Sequence, residues 1–217
     1  MEYVGLYCQF IQIKLKSMVE YRGAFLMNFF AKSIVFSTEF ILIWIMIYQF
    51  QNIAGWGQYE VMLLHALNIG SYSLAGFFLF HPFTKLGQHI QSGDFDEVLT
   101  RPLNPFFYLI SREFSTGYFA NVVVAFSIFV FCIHILEIRL QGLDILFLLI
   151  TILGATLIQG AAFIISGTVA FWIVQNKFLM EFFMFQTRGF IKYPISAYNK
   201  VIQIILTFII PYAFINF

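Results

Sequence analysis

The chain has 217 residues, 60% of them hydrophobic and 11% charged, with thirty phenylalanines and a net charge of +1. That composition excludes a soluble domain, which needs far more polar surface, and a nucleic-acid binder, which needs a clustered basic face. Two cysteines, Cys8 and Cys132, are too few for a disulfide framework, and the topology below sets them near opposite membrane faces as free thiols.

The first 22 residues mix acids and bases without a compact apolar core, so no cleavable signal peptide is expected. Residues 3–20 predict a helix lying on the membrane surface. Val4, Tyr7, Ile11, Leu15 and Met18 share one face, and Gln9, Gln12, Lys16 and Glu20 another. The same pattern fits a helix packed on another subunit. Residues 23–48 form the first membrane helix. Lys32 and Glu39 lie inside it, seven apart and therefore on one face. Lys32 can snorkel to the near interface, whereas Glu39 sits near the centre and must face protein or a water path. Structural pairing and a role in transport both remain open for Glu39. Seven residues span about 10 Å of helix, so its partner is expected from another helix rather than from Lys32.

The turn residues Ala54-Gly55-Trp56-Gly57, with Trp56 and Tyr59 as interfacial aromatics, lead to a second helix over 61–80, a stretch without Asp, Glu, Lys or Arg. A run of that length crosses a bilayer core. His65 and Asn68 within it read as helix–helix contacts. The loop 81–105 concentrates charge and turn signals. Lys85–Gln91 predicts a short helix closed by Ser92-Gly93, with Gly93 in the left-handed conformation. Asp94 and Glu97 have the spacing of a capping box that opens a second helix, and Pro102 and Pro105 end it in an extended exit. Phe95, Val98 and Leu99 stand among the acids of that helix as an apolar contact for a partner.

The third helix is expected over 106–136, an uncharged run from Gly117 to Leu136 after an amphipathic lead-in. A polar turn with Glu137 and Arg139 follows. Residues 145–174 are thirty residues without a charge. That is about 45 Å of helix against a core of about 30 Å, so it tilts, bends or protrudes. Ala162, Ser166 and Ala170 form a small-residue ladder for close helix approach, and Gln159 suits an interhelical hydrogen bond. A fifth helix is expected over 178–193, with Glu181 and Arg188 seven apart. Residues 194–217 are broken by Pro194 and Pro211, and Lys192 and Lys200 flank short apolar pieces at interfacial positions. Pro211 cannot continue a helix's hydrogen bonding, which predicts a re-entrant hairpin followed by the start of a truncated last helix at Phe217. The alternative is that Val201–Phe217 is itself a complete span.

Lys14, Lys16, Arg22, Lys85, Arg101, Arg112 and Lys177 fall on one side of this arrangement and only Arg139 on the other. The imbalance places the N-terminus and the 81–105 loop in the cytoplasm, in a multi-pass protein of the cell membrane. No catalytic constellation occurs. There is no phosphate-binding loop ending in Lys-Ser or Lys-Thr and no Gly-x-Ser-x-Gly elbow. His65, His81, His89 and His134 lack helical metal-site spacing, so no metal is expected.

The run Gly93-Asp94-Phe95-Asp96-Glu97-Val98-Leu99-Thr100-Arg101-Pro102-Leu103-Asn104-Pro105 resembles the G-x-hydrophobic-D-x-x-L-x-R-P-x-x-P signature of ABC-2 type permeases. Similarity continues in Gly55-Trp56, in Lys192-Tyr193-Pro194-Ile195-Ser196 with Tyr198-Asn199-Lys200, and in Ile209-Ile210-Pro211-Tyr212-Ala213-Phe214. The resemblance implies an all-α exporter transmembrane domain of five to six membrane segments, with an interfacial N-terminal helix and a re-entrant hairpin over 190–211. It implies a second permease chain, identical or related, embedded in membrane lipid. A cytoplasmic ATPase dimer would hold the ATP and magnesium, leaving no cofactor and no catalysis on this chain. It assigns residues 83–101 to the coupling helix that docks on the ATPase, and with it Gly93, Asp94, Phe95, Asp96, Glu97, Leu99, Arg101 and Pro102. A sixth helix is then expected after Phe217, where this sequence stops. The competing class is a non-ABC membrane protein, either a scaffold or a secondary transporter. A transporter of that kind is expected to show broken helices at matching positions of two halves, and no internal repeat is present.

Overall fold

The computed structural model describes residues 2–50, 52–113, 115–173, 177–182 and 186–215. The expected start of a last helix at Phe217, the Cys8 thiol and the Arg188 side chain lie outside the described residues. Helix α1 is Glu2–Glu20 and α2 is Arg22–Phe50, joined at Tyr21. The chain then reverses over Ile53–Trp56, whose backbones exchange hydrogen bonds of 3.1 and 3.0 Å. Ala54 and Gly55 both take positive φ there, 53° and 87°, as the tightest hairpin turns require.

Helix α3, Gln58–Thr84, opens with the Glu60 carboxylate accepting from the Gly57 amide at 2.7 Å. It is the central element, packing along α2 (through Val61 and Met62), along α7 (Phe119–Ile135) and along α8 (Gly142–Thr168). Its contacts with three helices explain why His65, Asn68, Ser71 and Ser73 are fully enclosed, while Leu74 and Phe78 are exposed. Against α8 the close approach is made at glycines. A Cβ on Gly160 would lie 2.8 Å from Leu79 Cδ1, and one on Gly167 would lie 2.7 Å from the Phe83 carbonyl oxygen. Of the expected Ala162–Ser166–Ala170 ladder, Ala162 packs on the C-terminal segment, and Ser166 and Ala170 are buried.

The loop begins later than expected, since α3 carries through His81 and Pro82 to Thr84. Two short helices follow, α4 (Leu86–Ser92) and α5 (Asp94–Thr100), and then α6 (Pro105–Arg112). The stretch 106–136, expected as one helix, is divided. Asn104 caps α6 by accepting from the Phe106 amide at 3.0 Å, with Pro105 in the first helical turn. The helix then ends at Glu113, whose carboxylate is drawn to Lys85 at 3.0 Å, and a 3₁₀ turn at Thr116–Tyr118 restarts the chain as α7. Pro105 thus opens a helix instead of extending the exit from α5.

Helix α8 starts at Gln141–Gly142, where Asp144 accepts from the Gln141 amide at 2.9 Å, and tightens into a 3₁₀ turn over Val169–Phe171. In the region 178–193 the described residues give α9 (Lys177–Glu181) and α10 (Thr187–Phe190), with a turn at Ile191–Lys192 before Pro194. Asn199 caps α11 (Lys200–Ile204) by accepting from the Ile202 amide at 2.9 Å. The helix widens into a π turn to Ile209, Ile210 becomes extended, and Pro211–Ile215 folds back as a 3₁₀ turn. Tyr212, Ala213 and Ile215 are buried there with Leu206, Ile191 and Ala155 of α8. Pro211 therefore stands at a corner.

Among the described residues, three helical stretches are long and apolar enough to cross a membrane: Arg22–Gln49, Gln58–Ser92 (α3 continued by α4) and Gly142–Phe171. Phe119–Ile135 and Lys200–Ile209 are apolar but shorter. Any count of five to six segments rests on these shorter pieces.

Candidate functional site

The signature residues fold into a two-helix hairpin beyond the end of α3. Gly93, at φ 79° and ψ 0°, closes α4 and starts α5, a conformation that costs glycine nothing. The Asp94–Glu97 capping box does not form. Asp94 enters the helix, and its carboxylate accepts from Ser92 Oγ at 2.7 Å while facing His89 Nδ1 at 3.6 Å. The Ser92 hydrogen bond, then the one from His89, holds the Asp94 carboxyl below its ordinary pKa. Glu97 pairs with Arg101 one turn on. That hydrogen bond lowers the Glu97 pKa and raises that of Arg101, and the guanidinium also lies 5.1 Å from the Tyr108 ring centre.

The apolar trio divides. Val98 is 2% exposed, in a cluster with Phe83, Leu86, Tyr108 and Leu109. Phe95 packs inward edge-on to Phe171 at 5.2 Å, whereas Leu99 is 56% exposed. Val98 and Phe95 are thus anchors that join the hairpin to the ends of α3, α6 and α8. The outward surface is Gly93, Asp94, Asp96, Glu97, Leu99, Arg101 and Pro102. A second tie runs through Glu113, which meets Lys85 at 3.0 Å and His89 Nε2 at 3.6 Å. The hairpin is thus tied on one side to α3, α6 and the end of α8 and exposes an acidic surface on the other.

The intramembrane polar residues separate into two places. Glu39 reaches His65 Nε2 of α3 at 3.4 Å and Lys192 Nζ at 3.5 Å, so Lys192 pairs with α2. Beside them Asn68 Nδ2 donates to the Ile191 carbonyl at 3.4 Å, and Gln159 Nε2 donates to Ser71 Oγ at 2.7 Å and to the Asn68 carbonyl at 3.3 Å. This seam joins α2, α3, α8 and the turn before Pro194, which is itself buried. Lys32 points elsewhere, over Tyr118 at the start of α7. His65 and Lys192 were not singled out by sequence as partners of Glu39; the one available signal was an ionisable side chain in an otherwise apolar segment. Among the described residues, no group of three or more His, Cys, Asp or Glu side chains is placed to hold a metal ion.

A family model described as ABC-2 family transporter protein matches residues 33–217. No curated protein and no solved structure matches the chain.

Proposed function

Because this chain belongs to the ABC-2 family of transporter proteins, and is a membrane permease subunit of an ABC transporter, we propose that it exports its substrate by docking a separate cytoplasmic ATPase dimer on the α4–α5 hairpin. Family membership selects this class over a secondary transporter or a scaffold. In this reading the ATPase chains hold ATP and magnesium, a second permease chain completes the pathway, and the N-terminus lies in the cytoplasm with α1 on the inner membrane surface.

The observation that carries the reading is the two-sidedness of the hairpin. Its inner face is held by Val98, Phe95 and Leu86, whereas Leu99 stands exposed with Asp96 beside it on the same helix, and Asp94 and Glu97 are exposed on the other flank. An exposed apolar residue on a helix that also exposes three carboxylates suits a protein contact in which burial supplies affinity and charge supplies orientation. Residues 194–215 are read as the re-entrant hairpin, supported by the corner at Ile210–Pro211 and its packing on the middle of α8.

The test is co-purification from native membranes. The tagged wild-type chain should retain an ATPase subunit. Leu99→Asp with Asp96→Lys should reduce the retained ATPase about tenfold, as expected for loss of a contact worth over 1 kcal/mol, at unchanged permease level. Undiminished retention would show that docking lies elsewhere.

A further inference from the structure

Lys32 lies ten residues beyond the start of α2, about 15 Å along the axis and so well inside the apolar layer. Its ammonium is 5.3 Å from the Tyr118 ring centre and so close to Gly117 that a Cβ there would overlap it. Tyr118 is a fixed platform. Its ring abuts Gly76 of α3, where a Cβ would come within 2.7 Å, and stands edge-on to Tyr72 and Phe80. Among the described residues no carboxylate comes within ion-pair distance of Lys32. The ring face contributes about 0.5–2 kcal/mol to holding a cation, less than the several kcal/mol that desolvating an uncompensated ammonium costs. The surroundings are built to seat the charge but leave it unneutralised.

Polar groups continue inward from this point. Ser33 Oγ, Ser73 Oγ and Asn121 Oδ1 are buried with no hydrogen-bond partner among the described residues. Other hydroxyls of these helices return their hydrogen one turn back, Thr38 to the Ile34 carbonyl and Ser127 to that of Val123, both at 2.8 Å. The approaches of Gly76 to Tyr118 and of Gly70 to Ala125 bracket Ser73 and Asn121, which places them at one level of α3 and α7, a turn deeper than Tyr118. Ser33 follows Lys32 directly. Beside this polar strip, Val35 of α2, one turn beyond Lys32 on the same side of the helix, and Phe119 and Phe126 of α7 present exposed apolar surface.

We propose that Lys32, seated by Gly117 and Tyr118 and continued by Ser33, Ser73 and Asn121, binds the anionic headgroup of an amphiphile, a phosphate or carboxylate, whose tail lies along α2 and α7. The headgroup belongs either to a resident membrane lipid or to a transported amphiphile. The inference adds a site to the permease reading. Its test contains no ATPase, so its failure is distinguishable from failure of ATPase docking.

The full chain in mild detergent is titrated with dodecyl phosphate, dioleoyl phosphatidic acid and dioleoyl phosphatidylcholine and read by native mass spectrometry. Wild type should bind both phosphate monoesters about tenfold more tightly than phosphatidylcholine, the value of one charge-assisted contact. Lys32→Gln should abolish the preference, Lys32→Arg should keep it, and Gly117→Ala, which displaces the ammonium without removing it, should weaken it. Phosphatidic acid that survives extraction and resists displacement by dodecyl phosphate identifies a resident lipid; free exchange identifies a cargo headgroup. Unchanged binding of the phosphate probes by Lys32→Gln, or equal binding of phosphatidylcholine by wild type, overturns the site. If Lys32→Gln fails to fold, the arginine and Gly117→Ala variants decide, and an unaltered preference in Gly117→Ala overturns it.

Discussion

Alanine at Gly167 sets two effects of known sign against each other. Ala exceeds Gly in helix propensity by about 1 kcal/mol, which favours the variant at any unobstructed site in α8. At Gly167, however, the new Cβ would sit 2.5 Å from Phe83 Cβ, 2.7 Å from its carbonyl oxygen and 3.0 Å from its Cα. Backbone atoms of a packed helix cannot swing aside, so α3 and α8 must separate. Overpacking of this kind costs about 1–3 kcal/mol, and a contact with main chain belongs at the upper end. Phe83 also anchors the cluster that holds Val98, so the displacement reaches the hairpin. Gly160 differs because its obstruction is the tip of Leu79, and Gly154 differs because nothing lies within 4 Å. The expected order of stability is Gly154→Ala above wild type, Gly160→Ala near it, and Gly167→Ala below it by about 1–2 kcal/mol. At about 3 °C per kcal/mol for a chain of this size, Gly167→Ala should melt about 3–6 °C lower. In a Cys8→Ser background the sole thiol is the fully buried Cys132, so a thiol-reactive fluorophore reports unfolding in detergent. Gly167→Ala melting at or above Gly154→Ala would refute the close approach of α3 and α8.

Glu39→Ala removes the carboxylate shared by His65 and Lys192 and should lower stability by about 1–3 kcal/mol; the exchange Glu39→Lys with Lys192→Glu should recover part of the loss, and equal melting of all variants would exclude the pairing. Val98→Ala should cost about 1–2 kcal/mol because Val98 is enclosed, whereas Leu99→Ala should leave the melting temperature within about 2 °C, read by the same thiol assay. Asp94 and Glu97 have folded pKa values below their ordinary 3.8 and 4.5. Their contribution is therefore complete above those values and is lost as pH falls through the lower folded ones; hydrogen-exchange protection of α4 and α5 should hold at pH 5 and decline only below about pH 4.

The parts of the site that were legible in sequence are those governed by neighbours in the chain. Gly93 had to be a helix end because a Ser-Gly pair between two short amphipathic runs leaves the left-handed conformation as the inexpensive way to turn. The Asp94 capping box was read from the same stretch and did not form, because Ser92 supplies a hydroxyl at 2.7 Å and fixes that carboxylate before it can cap. Phe95, Val98 and Leu99 show the limit of periodicity. Their spacing announces apolar side chains on a short helix, but which of them faces the protein depends on where Tyr108 and Phe171 lie. The division of 106–136 followed partly from local chemistry, through Asn104 and Pro105, and partly from the distant Lys85 that engages Glu113.

Sequence alone determined that this is a membrane protein and the approximate course of α2, α3 and α8, because a bilayer demands uninterrupted apolar length; it did not determine the division of 106–136 and of 178–193. Tertiary structure alone decided which partners the buried polar groups meet. Asn68 and Ile191 are joined across 123 positions and Gln159 and Ser71 across 88, and Glu39 takes His65 and Lys192 rather than Lys32. An enclosed polar side chain must find a partner somewhere, so its composition states the requirement, but only the packing of α2, α3, α7 and α8 brings a particular donor within reach.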